Sequence, residues 1–160
     1  MRVTIAAVGR LKAGAERELF SRYWKRLEAG GRQLGIGPVK LIETGESTRG
    51  SPRERQGAEA AALLKKIDDK ATLVALDETG KAFTSQALAK QLEAYREQGI
   101  RELVFVIGGA DGHGEAVSDH AALKLALGPM TLPHGLARVV LAEQLYRAVT
   151  MLSGHPYHRS

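Results

Sequence analysis

The last seven residues, Gly154-His155-Pro156-Tyr157-His158-Arg159-Ser160, put two imidazoles, a phenol and a guanidinium on one short segment. Chain ends are usually small, polar and frayed. Here a proline holds its own φ near about −65°, so the segment is partly shaped in advance. Its side chains can move a proton, stack on a base or bind phosphate. A second set of candidates lies in three glycine-bearing turns: Leu76-Asp77-Glu78-Thr79-Gly80, Ile107-Gly108-Gly109-Ala110-Asp111-Gly112 and Leu127-Gly128-Pro129-Met130-Thr131-Leu132. Glycine lets a ligand approach backbone N–H and C=O groups. One such turn more often just ends a strand. Three in register beyond the carboxyl ends of strands point to a nucleotide-like ligand.

Several chemistries are excluded or disfavoured. The chain has no cysteine, which removes disulfides, thiolate nucleophiles and cysteine-based zinc sites. Gly9 and Gly14 have the glycine spacing of a phosphate loop, but Ala15 stands where that loop needs lysine, and no G-x-G-x-x-G follows a strand. ATP and NAD are therefore disfavoured, and a nucleoside cofactor without phosphates stays open. Asp111, His113, Asp119 and His120 match no metal-ligand spacing and read as solvated loop residues. There is no G-x-S-x-G nucleophile elbow. Tyr23 and Trp24, beside Lys25 and Arg26, read as core aromatics with a basic rim rather than a base-stacking platform. His134, after Pro133, fits a helix cap and a site residue equally well.

These residues need elements to position them. Strands are predicted over 3–8, 39–42, 72–76, 103–107 and 123–127. Helices are predicted over 15–27, 53–67, 85–98, 115–120 and 136–152. Residues 44–52 read as a polar, glycine-bearing loop. This β-α alternation in 160 residues predicts one α/β domain, residues 1–160, with a mostly parallel sheet and flanking helices. The last helix is apolar around much of its circumference, which suggests a buried helix or a homodimer interface. The net charge is +5, and residues 1–50 account for all of the excess, with ten Lys/Arg against five Asp/Glu. That imbalance favours a polyanionic partner such as RNA, although a solvated basic helix explains it equally well. No apolar run approaches membrane-spanning length, and the expected location is the cytoplasm, with no membrane partner.

Larger motifs then stand out: Met130-Thr131-Leu132-Pro133-His134, Arg138 to Ala148, and His155-Pro156-Tyr157-His158-Arg159, together with Leu76-Asp77-x-x-Gly80-Lys81, Ile107-Gly108-Gly109 and Ala7 to Lys12. In these the whole chain resembles the RlmH family of SPOUT methyltransferases; residues 44–52 match no pattern of that family, and Gly135 stands where some relatives carry a larger residue or proline. The resemblance implies a C-terminal trefoil knot, a homodimer and S-adenosylmethionine as methyl donor, with no metal. It implies methylation of N3 of a pseudouridine in 23S ribosomal RNA, on the large subunit or the assembled 70S ribosome. Carried onto this sequence, the donor pocket is Leu76, Gly108, Leu127, Gly128, Pro129, Met130, Thr131 and Leu132. The catalytic candidates are His158 or Tyr157 near the N3 proton, with Arg159 and Arg138 holding phosphate or developing negative charge. The rival readings are a non-catalytic ribosome-binding factor that uses the basic first third, and a small α/β hydrolase.

Overall fold

The computed structural model describes the backbone of residues 1–159 and the side chains of residues 1–157. Strands β1 (Arg2–Val8), β2 (Val39–Thr44), β3 (Thr72–Ala82), β4 (Glu102–Ile107) and β5 (Ala121–Ala126) alternate with helices α1 (Ala15–Gly31), α2 (Pro52–Leu64), α3 (Ser85–Glu97), α4 (Glu115–His120) and α5 (His134–Leu152). A 3-10 turn, Pro156–Arg159, follows α5. The strands form one sheet in the order β2-β1-β4-β3-β5, and every pairing is parallel.

Period-two alternation divides the core between the two faces of the sheet. Val3, Ile5, Leu103 and Phe105 meet Phe20 and Leu27 of α1, Leu88 and Leu92 of α3, and Leu141, Leu145 and Val149 of α5. Ala6, Val8, Val104 and Val106 meet Ala60 and Leu63 of α2 and Val117 of α4 on the other face. With both faces covered, β1 and β4 carry continuous apolar runs instead of a polar alternation.

The elements match the predicted ones, with informative differences. Helix α1 runs through Gly30 and Gly31, which read as a turn in the sequence. A Cβ on Gly30 would lie 3.2 Å from Val149, and one on Gly31 would meet the Ile36 carbonyl oxygen. The glycines are there for close packing, so tertiary contact overrides the local breaker signal. Helix α2 starts at Pro52 behind a capping box: Ser51 Oγ accepts the Glu54 N–H at 3.2 Å, and Glu54 accepts the Ser51 N–H at 3.2 Å. Strand β3 does not end at Leu76. Leu76 and Lys81 both face Leu125, so residues 77–80 loop out of a strand that then resumes. Much of the apolar girth of α5 is buried within the chain against α1, α3 and the sheet. Leu136 of α5 and Leu19 of α1 stay exposed, near the point where Gly135 abuts Glu16.

Candidate functional site

The carboxyl ends of β3, β4 and β5 converge because Leu76 pairs with both Ile107 and Leu125. The three turns that leave these ends enclose a cleft of about 830 Å³. Leu76, Gly108, Leu127, Gly128, Met130, Thr131 and Leu132 line it, and Pro129 does not. The cleft also takes in Asp77, Glu78, Asp111, His113 and His134.

Each turn is fixed by its own chemistry. Asp77 accepts the Thr79 N–H at 2.9 Å and the Thr79 hydroxyl at 2.8 Å, and these bonds hold its carboxyl below the usual carboxylate range. Thr131 donates its hydroxyl to Glu78 at 2.6 Å, tying the 127–132 turn to the 76–80 turn. A Cβ on Gly108 would lie 2.8 Å from the Gly112 carbonyl, so this chain reversal needs glycine. Gly112 has φ +84°, and its N–H bonds the Gly109 carbonyl at 3.0 Å.

His113 is not the solvated loop residue read from the sequence. Its Nε2 lies 2.6 Å from the Leu76 carbonyl oxygen. A carbonyl only accepts, so Nε2 carries the proton and Nδ1 is left as an acceptor. Burial pushes the imidazole pKa below its ordinary value and Lys124 adds to this, against the opposing pull of the Leu76 bond and Asp77. At neutral pH the ring is uncharged. The sequence signal was a histidine inside a glycine-rich strand end; its two neighbouring acids hid it behind a metal template that did not fit. Asp111 likewise belongs to the pocket wall.

Of the candidates for handling the acceptor, Arg138 and Tyr157 do not line the cleft of their own chain. Arg138 is fully buried. It donates to Glu43 at 2.5 Å and to the Gly9 carbonyl at 3.1 Å, and it does not line the cleft. These bonds join α5 to the ends of β1 and β2. Tyr157 folds back onto α5. Its hydroxyl donates to Glu143 at 3.0 Å and its ring centroid lies 4.6 Å from that of Tyr146. Burial first, then hydrogen bonds with Tyr23 and Glu143, raise the phenol pKa, which keeps the hydroxyl protonated. Tyr157 does not line the cleft of its own chain. The side chains of His158 and Arg159, and Ser160, lie outside the described residues. His134 does reach the pocket wall, with Nδ1 4.0 Å from Glu46. Among the described residues, no three His, Asp or Glu side chains converge in a way that could hold a metal ion.

A family model described as "Predicted SPOUT methyltransferase" matches residues 1–158. The chain belongs to the SPOUT methyltransferase family. It is 51% identical over 160 residues to "Ribosomal RNA large subunit methyltransferase H" of Xanthobacter autotrophicus, covering 100% of both chains. It is 51% identical to the protein of the same name in Rhizobium etli, over 159 residues and 99% of each chain. A methylase-family protein from Haemophilus influenzae shares the fold, with a TM-score of 0.54 at 10% sequence identity, over 97% of this chain and 69% of that one. The walls of the cleft are apolar on one side and acidic on another. Leu76, Leu127 and Leu132 offer apolar surface to a nucleoside, Gly108 exposes backbone, and Asp77 and Glu78 set negative charge at one side. No helix is long and apolar enough to cross a membrane.

Proposed function

We propose that this single-domain protein methylates N3 of a pseudouridine in 23S ribosomal RNA, with S-adenosylmethionine as donor, acting as a cytoplasmic homodimer with a knotted C-terminal region. The observation that carries the reading is the cleft at the ends of β3, β4 and β5, built from the three turns of the family pattern. The names of the full-length relatives support the RNA substrate. The basic first third of the chain supports it too: Lys12, Arg17, Arg22, Lys25 and Arg26 are all exposed along or just before α1.

The donor supplies an activated methyl group. The residues of the chain do the rest. Leu76, Gly108 and the 127–132 turn hold the donor in one orientation, and alignment of this kind can lower a barrier by several kcal/mol, up to about 7–11 in ideal cases. His113 turns an uncharged acceptor nitrogen, Nδ1, away from the Leu76 carbonyl without adding charge to the cleft. The N3 proton must leave as the new bond forms. Among the described residues, the cleft of one chain holds His113 and His134 but no side chain of the tail. On this reading the tail of the partner subunit completes the site, with a histidine taking the proton and Arg159 holding negative charge. For Tyr157 to donate to the base, its hydroxyl must first exchange the bond it makes to Glu143.

The test is incubation of purified protein with isotopically labelled S-adenosylmethionine and ribosomes, followed by mass spectrometry of large-subunit RNA. A labelled methyl on one pseudouridine is expected. Donor binding by calorimetry with no transfer to any ribosomal particle would favour a non-catalytic ribosome-binding factor instead.

A further inference from the structure

Helix α2 contributes no residue to the cleft wall, yet two of its side chains bond the glycine-rich lip that does and a third, Glu59, packs beneath it. Arg55 holds Asp111 side-on, with Nε 2.6 Å from one carboxylate oxygen and Nη2 3.0 Å from the other. Gln56 donates to the Asp111 carbonyl at 2.5 Å. Glu59 is buried beneath Gly109, where a Cβ would come within 2.8 Å of its Oε2. A Cβ on Gly114 would lie 2.8 Å from the Gln56 carbonyl oxygen. The lip can therefore lie flush on α2 only because positions 109 and 114 are glycine.

The same helix holds a second segment. The remaining Arg55 nitrogen, Nη1, donates to the carbonyls of Arg49 at 3.2 Å and Gly50 at 3.1 Å. Glu59 Oε1 accepts the Ser47 N–H at 2.8 Å. At its other end this 45–51 segment sets Glu46 4.0 Å from His134, which lines the cleft. The segment thus runs from Glu46, beside His134, to Arg49 and Gly50, which share Arg55 with Asp111. It lies within residues 44–52, which match no pattern of the resembled family, and it is mostly exposed and polar.

We propose that Arg55 is a positioning residue: one guanidinium fixes the donor-pocket lip and ties it to the 45–51 segment, so that the two order together. This rests on the donor reading of the cleft. The physical argument is entropic. Four of the seven residues from Gly108 to Gly114 are glycine, the residue that loses most freedom on ordering. Holding them in place beforehand removes that cost from ligand binding. Only a planar fork can take both carboxylate oxygens and two carbonyls together; a lysine ammonium cannot. The contrast is Arg53, at the start of the same helix on an open surface, 3.6 Å from an equally exposed Glu115.

The experiment uses the full-length protein with three variants: R55A, R55K and, as control, R53A. Amide hydrogen exchange without ligand is expected to speed up in residues 108–113 and 45–51 together in R55A and R55K, and to stay at the wild-type rate in R53A. The Kd for S-adenosylmethionine and the KM for the same donor are expected to rise about tenfold in R55A, with kcat at saturating donor within about twofold. R55K serves where R55A folds poorly, and it should not restore donor affinity. Wild-type exchange in both segments, acceleration confined to one of them, or an equal fall of kcat and melting temperature with unchanged donor affinity would overturn the proposal. A wild-type protein that does not bind the donor would instead overturn the reading of the cleft; the ligand-free exchange still decides the role of Arg55.

Discussion

Replacing Arg138 with methionine removes a buried cation while keeping most of its volume. The guanidinium is fully buried, bonds Glu43 at 2.5 Å and the Gly9 carbonyl at 3.1 Å, and leaves Nε without a partner. Burial lowers its pKa and Glu43 pulls it back up. Removing one member of a buried pair costs about 3–5 kcal/mol, mostly through the stranded partner. Here the partner is less stranded than usual: the Glu43 side chain is 25% exposed and also accepts the Leu11 N–H at 3.0 Å. The lower end, about 3 kcal/mol, is therefore expected. For a chain of this size each kcal/mol moves the midpoint by about 2–4 °C, so thermal melts should show R138M about 6–12 °C below wild type. The double variant R138M/E43L should lose less than the sum of the two single changes, because no carboxylate is left unpaired. Measured well below the lowered midpoint, donor affinity should match wild type, since Arg138 does not line the cleft. A wild-type midpoint with abolished methyl transfer would refute this reasoning and place Arg138 on the substrate.

Other perturbations reach the cleft itself. Gly108→Ala forces a Cβ to 2.8 Å from backbone that cannot yield; the expected penalty of about 1–3 kcal/mol should weaken donor binding by roughly tenfold or more in calorimetry. His113 has a depressed folded pKa, so its contribution to stability is present above about 6.5 and is lost as pH falls through the lower folded value. The melting-temperature gap between wild type and His113→Asn should therefore narrow from pH 7 to pH 5; Asp77 and Lys124, the charges facing the ring, are common to both proteins. Combined substitution of Arg17, Arg22 and Lys25 by alanine should flatten the dependence of log Kd on log salt for an RNA stem-loop by about 0.7–0.9 for each phosphate left without its cation; an unchanged slope would remove this face from the RNA interface. Deleting residues 157–160 should leave donor binding intact and abolish transfer. If the tail acts across subunits, mixed dimers of that deletion with a Gly108 variant should regain activity, whereas a tail acting within its own chain gives none.

The sheet was legible because its strands are short apolar runs ended by glycine, and β4 in particular has no other reading. The strand order was not, since parallel pairing leaves no mark on β1 or β4 that says which is the neighbour of which. The cleft was half legible. Glycines at 80, 108 and 128 announced turns, and the turns proved to be its walls. The residues that shape those walls were harder to see. His113 and Asp111 are polar side chains in a loop, and only the Leu76 carbonyl and the Arg55 guanidinium, distant in sequence, give them a fixed place. Arg138 was hard to place for the opposite reason. A basic residue in such a motif suggests an anion, and neither its burial nor its bond to Glu43, distant in sequence, shows in the motif itself.

The division of labour between the two ends of the chain follows from these placements. The cleft offers shape, backbone and neutral or acidic side chains, which suit a cationic donor and give it one orientation. A base that must lose a proton needs something else: a proton acceptor and a positive charge. The buried guanidinium of Arg138 is already taken by Glu43, and Arg55 by Asp111. Tyr157 is committed to Glu143 with its pKa raised, and it sits against α5 away from the cleft of its own chain. Among the described tail side chains none lines the cleft of its own chain, and a tail supplied by the partner subunit would make dimerisation a condition of activity and not only of stability.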